Sequence, residues 1–302
     1  MFTILRDLLK GRQKRTPEGP IPINYIDSLL RPEGNTAKAI WFGHSTVLLE
    51  VEGKRLLLDP VFSEYPSPFP FIGGKRFSKA VPIEPEQLLP VDIVLVSHDH
   101  YDHLDYKTIM QIKEKTGLFC VPAGVGRRLK KWGIDQEKIK ELDWWQEAAC
   151  AGLTLACTPA RHFSGRSMFD RNKTLWCSWA IIGQEKKVFF SGDGGYGSHF
   201  RQIGEKYGPF DLTLMECGQY DERWAAIHML PEQTVQAHLD IAGRLLLPIH
   251  WGAFSLAFHA WTDPVERALK AAKECQVRIT TPRIGEAVVV DAADYPAAIW
   301  WR

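Results

Sequence analysis

The 302 residues are 45% hydrophobic and 24% charged, with 37 Lys and Arg against 36 Asp and Glu for a net charge of +1. That balance excludes a disordered, collagenous or disulfide-scaffold chain. It also excludes a global electrostatic pull toward nucleic acid, leaving only a local patch open.

The first residues, MFTILRDLLKGRQKR, break any apolar core with Arg6, Asp7 and Lys10 and do not read as a secretory signal. Phe2, Leu5 and Leu9 fall near helical spacing among Arg6, Lys10, Arg12, Lys14 and Arg15. A short amphipathic helix there would either touch anionic lipid or pack on the body or on a second subunit, so a homodimer stays open. Residues 11–37, rich in Pro, Gly and charge, read as an extended arm, giving an N-terminal arm over 1–37 and a single domain over 38–302. The longest uncharged stretch, 245–262, is broken by Pro248, His250, Gly252 and His259 and makes a poor bilayer helix. Cys120, Cys150, Cys157, Cys177, Cys217 and Cys275 form no CxxC pair. They read as free thiols of a reducing compartment, so the expectation is cytoplasmic, with a peripheral place at the inner face of the membrane left open.

From Lys38 the texture is β. AIWFG, TVLLEVE and KRLLLD are short runs separated by turn signals, which predicts a meander. Residues 60–82 interleave prolines with Phe62, Tyr65, Phe69, Phe71 and Phe77 and read as a long aromatic loop. With Trp300 and Trp301, it would form either an apolar rim at the site or a cover for the domain edge. Strands and helices then alternate. VDIVLVS is a strand, 105–116 a helix, FCVPA a strand and VGRRLKKWG a helix. LTLACTPA, CSWAII and KVFFS are strands, with a helix near 198–207, a strand at DLTLMEC, a helix at PEQTVQAHLDIAG and a strand at RLLLPI. A helix at PVERALKAAKE and strands at VRITT and AVVVD close the set. Strand-rich halves with helices between them predict an α/β fold of two face-to-face sheets with helices outside.

The strongest motif is His98-Asp99-His100-Tyr101-Asp102-His103, directly after a buried strand. Imidazole nitrogen and carboxylate oxygen are the donors that borderline divalent metals take. One metal would not easily use all of them, so the spacing divides them. His98 and His100 serve one ion, Asp102 and His103 a second, and Asp99 points away. Further donors follow from one rule, a His or Asp just past a β-run: His162 after LTLACTPAR, Asp193 after KVFFSG and His250 after RLLLPI. Strand ends are where loops vary without breaking a core. Asp193 is the only acid of the three and the best bridge.

HxHxDH with the later His, Asp and His resembles the metallo-β-lactamase superfamily. The strings WFGHSTVLLE, LLLDPVFSEYPSP, VLVSHDHYDHLD, TPARHFSGR, FFSGDGGYG, GPFDL and LPIHWGAF resemble its N-acyl-phosphatidylethanolamine-hydrolysing phospholipase D branch, over roughly residues 36–270. The resemblance implies a four-layer αββα sandwich, one hydrolase domain over 38–302, and two divalent ions, zinc first with manganese or iron as alternatives. It puts His98, His100 and His162 on one ion, Asp102, His103 and His250 on the other, and Asp193 between them. Gly194, Glu216-Cys217 and Ala253 depart from the family pattern in segments expected to face the substrate, which leaves substrate identity open.

The implied reaction is attack on phosphorus by a metal-bridging hydroxide, since metal binding lowers the pKa of water from 15.7 to about 7. Asp102 would help orient it. His228, in WAAIHMLP, is the candidate proton donor to the leaving group, against a plain helix-capping role. His44 would orient a ligand, and Arg161, Ser164 and Arg166 would contact phosphate. His199 and His259 are weaker candidates, and His238 is expected on an exposed helix face. The expected substrate is a phosphodiester or phospholipid-like small molecule, without nucleic acid. The rivals are a lactonase or ester hydrolase on a small phosphorylated metabolite, and a non-hydrolytic di-iron or metal-binding protein.

Overall fold

The computed structural model describes residues 14–26, 34–67, 74–88 and 90–302, and thirteen strands and five helices lie among them. In chain order come β1 (Ala37–Trp41), β2 (Val47–Val51), β3 (Lys54–Leu58), β4 (Val91–Leu95), α1 (Tyr106–Ile112), β5 (Thr116–Pro122), α2 (Gly126–Lys131) and β6 (Ile139–Leu142). Then come β7 (Glu147–Cys150), β8 (Leu153–Thr158), β9 (Ser178–Ile182), β10 (Lys187–Phe190), α3 (His199–Tyr207), β11 (Phe210–Glu216), α4 (Pro231–Asp240), β12 (Gly243–Ile249), α5 (Asp263–Glu274) and β13 (Ala287–Val289). One sheet has the order β13-β1-β2-β3-β4-β5-β6 and the other β12-β11-β10-β9-β8-β7.

The central strands carry apolar residues at consecutive positions because both faces of each sheet are covered. Leu49, Leu56, Leu58, Ile93 and Leu95 meet Leu155, Phe190, Leu212 and Leu247 of the other sheet in one buried cluster. The alternate residues Leu48, Leu57 and Val94 face outward onto Ile109, Ile112 and Leu129 of α1 and α2. On the far side Ala156, Ala180, Phe189 and Leu246 pack on Phe200, Ile203, Val235, Ala237 and Ala271 of α3, α4 and α5. These are the four layers of an αββα sandwich, as expected.

The topology also fixes where loops gather. β3, β4, β5 and β6 are mutually parallel. β1 runs with β3, because both are antiparallel to β2. The C-terminal ends of β3 and β4 and the turn after β1 therefore share one edge. In the other sheet β10, β11 and β12 are parallel. β8 runs with β10, because both are antiparallel to β9. Their C-terminal ends share an edge as well.

Several expectations need correction. VRITT makes only the single bridge Ile279↔Leu246 instead of a strand. The chain takes two bonds from the free edge of β12, Leu246 N–H to Arg278 O and Thr280 N–H to Leu246 O, and then leaves it. β6 and β7 had no clear signal, since IKEL and EAAC are short edge strands with exposed residues. His238 is buried, with Nδ1 2.7 Å from Thr213 Oγ1. Trp300 and Trp301 are buried too. Trp300 stacks on Trp251 at 5.3 Å, and both close the sandwich edge rather than a rim at the site.

The expected N-terminal amphipathic helix, and Phe69 and Phe71 of the aromatic loop, lie outside the described residues. The described part of the arm packs on the body, with Ile23 bridged to Ile284. Phe62 meets Phe42 at 5.8 Å, and Phe77 meets Trp261 at 6.0 Å. Five of the six cysteines are buried and all six are free thiols. Among the described residues no helix is long and apolar enough to cross a membrane.

Candidate metal centre

The loop after β4 carries His98, His100, Asp102 and His103, and the ends of β8, β10 and β12 deliver His162, Asp193 and His250. The fold brings all seven together. His98 Nε2 and His162 Nε2 lie 2.8 and 3.2 Å from His100 Nδ1, so three imidazoles aim at one point. Asp102 and His103 gather with His250 and His44 in a second group, whose donor atoms lie within 4.8 Å of one another. Asp193 stands between the groups. Its Oδ2 is 3.9 Å from His98 Nε2, 3.8 Å from His162 Nε2 and 3.0 Å from His103 Nε2, while its Oδ1 is 3.1 Å from His250 Nδ1.

Three of the supporting turns hold non-glycine residues at positive φ: His44 (54°), Asp59 (38°) and His250 (66°). Such backbone costs on the order of 1–3 kcal/mol per residue and persists only where the surroundings impose it. Here His250 N–H bonds His44 O (2.8 Å) and His44 N–H bonds Trp251 O (2.9 Å), which clamps one sheet edge to the other.

A buried scaffold orients each ring. Asp59, at the end of β3, accepts from His103 Nδ1 at 2.6 Å, from Ser97 N–H at 2.7 Å and from Ser97 Oγ at 2.5 Å. Ser97 Oγ is also 2.9 Å from His98 Nδ1, so one carboxylate governs a ring in each group. His162 Nδ1 bonds Ile227 O at 3.0 Å, and Ser45 Oγ is 2.9 Å from His250 Nδ1. His44 Nε2 bonds Asp102 Oδ2 at 2.9 Å.

Burial, and then neighbouring imidazoles, hold His98 well below the usual histidine range. Burial likewise dominates at His162 and His250. Burial would raise the carboxyls of Asp102 and Asp193, but His103, joined by His44 at Asp102 and by His250 and His228 at Asp193, keeps both well below the usual range. His98, His100, His162 and His250 are thus neutral and the two carboxyls ionised, the forms that ligate metal. His103 is the exception, because burial is overcome there by Asp193, Asp102 and Asp59, which raise it well above the usual histidine range, so a metal would displace its proton. Two buried atoms facing the shared space, His103 Nε2 and Asp193 Oδ1, make no hydrogen bond within the protein. Buried polar atoms are rarely left so, and the arrangement fits a bound cation.

Asp99 turns away, as the spacing predicted. Its oxygens take Gly165 N–H and Arg128 Nε, each at 2.7 Å. Arg161, Ser164 and Arg166, expected to contact phosphate, donate to backbone carbonyls in this geometry. Arg161 donates to Tyr196 O, Ser164 Oγ donates to Thr174 O at 2.6 Å, and Arg166 donates to Asp99 O and Leu104 O. None of the three lines the cavity over the centre. His199 and His259 also stay outside it.

That cavity, about 290 Å³, has the candidate ligands as its floor and Phe163, Trp224, Ile227 and Leu256 as apolar walls. Gln219 fixes one wall, donating to Phe254 O at 3.0 Å and accepting from Leu256 N–H at 2.8 Å. His228 lines it as well, with Nδ1 bonded to Glu216 Oε2 at 2.9 Å, which leaves Nε2 for the cavity. Burial pushes the Glu216 carboxyl up to about 7; burial would lower His228, but Glu216, with Asp193 and Asp102, raises it. The two titrations are therefore coupled, the charge state of each depending on the other.

Sequence reasoning missed Asp59 and this use of Glu216. Both sit at the end of a β-run, so the rule that found Asp193 also reaches them.

The sequence model of the beta-lactamase superfamily domain matches residues 54–251. An uncharacterized protein of Mycobacterium tuberculosis is 44% identical over 99% of this chain and 80% of its own length. The N-acyl-phosphatidylethanolamine-hydrolyzing phospholipase D 1 of Caenorhabditis elegans is 36% identical over 80% of this chain and 71% of its own. Among solved structures, Igni18, a metallo hydrolase of Ignicoccus hospitalis, superposes with a TM-score of 0.65 at 25% identity, covering 85% of this chain and 99% of that one.

Proposed function

Because the chain belongs to the metallo-β-lactamase superfamily, in its N-acyl-phosphatidylethanolamine-hydrolysing phospholipase D-like branch, we propose that this metal-dependent hydrolase is a binuclear phosphodiesterase of the phospholipase D type. The observation that carries the reading is Asp193, one carboxylate within 3.0–3.9 Å of ring nitrogens from both donor groups. His98, His100 and His162 would hold one ion, Asp102, His103 and His250 the other, and Asp193 both.

Two divalent cations, zinc first, would supply Lewis-acid polarisation of a phosphoryl oxygen and water acidified toward a pKa of about 7. The protein's own groups do the rest. Imidazoles add no charge once they ligate in their neutral form, so Asp102 and Asp193 leave two cations an excess of positive charge. That excess favours an anionic phosphodiester over a neutral lactone. Asp102, held by His44 Nε2, would accept a hydrogen bond from the attacking water and aim it. His228, positioned and charged by Glu216, would protonate the leaving alkoxide through Nε2. Phe163, Trp224, Ile227 and Leu256 would exclude water from the cavity and seat an apolar portion of the substrate.

The test couples elemental analysis to a screen of bis(p-nitrophenyl) phosphate, N-acyl and diacyl phospholipids, and lactones. Two equivalents of metal with phosphodiester turnover are expected. Lactone turnover without phosphodiester turnover would replace this reading with its rival.

A further inference from the structure

Met168 and Phe169 are 90% and 82% exposed, more than any other large apolar side chain described. A single exposed apolar residue needs no account. These two are adjacent, on a loop that is tied down everywhere else. Asp170 accepts the N–H groups of Arg166 at 2.9 Å and Ser167 at 2.7 Å, and Arg128 donates to it at 2.7 Å. Phe169 N–H bonds Ser167 Oγ at 3.3 Å, and Asn172 N–H bonds Ser164 O at 2.9 Å. The turn is built, and it keeps both side chains in water.

The surroundings are strongly cationic. Residues 126–131 and 161–173 hold eight Lys and Arg against one acid, Asp170, in a chain of net charge +1. The Arg128–Asp170 ion pair sets the two segments side by side. Arg127, Lys130, Lys131, Arg171 and Lys173 are exposed, and none forms an ion pair with a described carboxylate. On the same flank Tyr106, 48% exposed, packs edge-on to Trp132 at 5.1 Å. Tyr and Trp are the residues favoured where lipid meets water.

We propose that this face docks on an anionic phospholipid bilayer, with Met168 and Phe169 entering the headgroup–acyl boundary and the surrounding Lys and Arg on the lipid phosphates. Nucleic acid would engage the cations and leave the apolar tip in water, whereas a bilayer engages both. The tip also lies beside the cavity. Arg171 stacks at 4.1 Å over the Phe163 ring, which lines that cavity next to His100 and His162.

The inference rests on the surface and not on the hydrolytic reading, so it is tested without turnover, by flotation of the full chain with vesicles. Binding is expected to phosphatidylcholine containing about 30 mol% phosphatidylglycerol, to weaken with salt, and to be absent with phosphatidylcholine alone. Met168→Ser/Phe169→Ser should lower partitioning at least about tenfold. Lys131→Gln/Lys173→Gln should lower it about fivefold per charge removed. Both variants should keep the wild-type circular dichroism and the wild-type turnover of a soluble substrate. Flotation of the tip variant equal to wild type would place lipid contact elsewhere, for example in residues 1–15, and overturn the proposal. Equal binding to neutral vesicles, or preference for an oligonucleotide duplex over vesicles, would overturn it too.

Discussion

Asp59→Asn separates metal affinity from folding more sharply than any change to a ligand. The carboxylate is fully buried and takes three hydrogen bonds, two from Ser97 and one from His103 Nδ1. It therefore holds the His103 proton on Nδ1 and frees Nε2, the atom that faces Asp193 at 3.0 Å. Asparagine fills the same space, and its oxygen still accepts from Ser97 N–H. Its amide, however, now points a donor at His103 Nδ1. The ring answers by moving its proton to Nε2, the wrong atom for a ligand. A lost supporting contact of this kind costs about 10- to 100-fold in metal affinity. That is roughly 1.4–2.7 kcal/mol at 1.36 kcal/mol per decade.

The metal-free protein should behave in the opposite way. Burial, which outweighs the bonds from His103 and Ser97, raises the Asp59 carboxyl above its usual range, so ionised Asp59 is a strained group without metal. Replacing a buried charge with a neutral isostere is often neutral or stabilising. Competition against a chromophoric chelator measures affinity, and thermal melts of the stripped protein measure folding. The expected pair of results is an affinity loss of about 10- to 100-fold with an unchanged or higher apo melting temperature. Wild-type affinity within a factor of about three, or an affinity loss matched by loss of folding, would refute the tautomer argument.

Asp193→Asn removes the charge shared by both donor groups, so metal content by elemental analysis should fall below one equivalent and turnover should vanish. His228→Gln should keep full metal content and slow turnover by about 10²- to 10⁴-fold, the range for a lost proton donor. Loss of metal in that variant would make His228 a ligand instead. Glu216→Gln keeps the shape but removes the charge that raises His228. The alkaline limb of its pH–rate profile should therefore shift to lower pH, and an unmoved limb would separate the pair. His238 is pulled down to about 4 by burial, so it favours the fold fully above its unfolded value of 6.5 and loses that contribution as pH falls toward 4. The loss is up to about 3 kcal/mol, so wild-type melting temperature should fall more steeply over that window than that of His238→Asn.

What was legible in the sequence follows from physical range. The buried strands were visible because both faces are covered, which places consecutive apolar residues in KRLLL and VDIVL and keeps FDLTLME mostly apolar. The seven convergent donors were visible because topology sends strand ends to common edges, and a residue just past a strand inherits that position. Orientation was not visible at this level. Arg166 and Ser164 flank His162 in sequence, but their donors are taken by carbonyls that only the tertiary fold supplies. His238 looked exposed because helix α4 is mostly polar, while its burial depends on Thr213 of a neighbouring strand. Edge strands β6 and β7 were missed because one exposed face dilutes the apolar signal.

Asp99 and Asp102 stand three residues apart in one motif and do opposite work. Asp102 faces the donor groups, while Asp99 ties the ligand loop to Gly165 and to Arg128. Arg128 in turn holds Asp170, which organises the turn that presents Met168 and Phe169. Two charge-assisted bonds thus link the loop of His98 and His100 to the exposed apolar tip, with no flexible segment between. A tip on a slack loop would contact lipid without fixing where the cavity stands. This one transmits its position through Asp170, Arg128 and Asp99, so a bilayer under the tip would lie at a set distance from the donors. The tether also explains why Asp99 is buried with an arginine rather than facing metal. Its charge neutralises Arg128 where the loop base is driest, and moving it into the donor groups would leave that guanidinium sharing Asp170 alone.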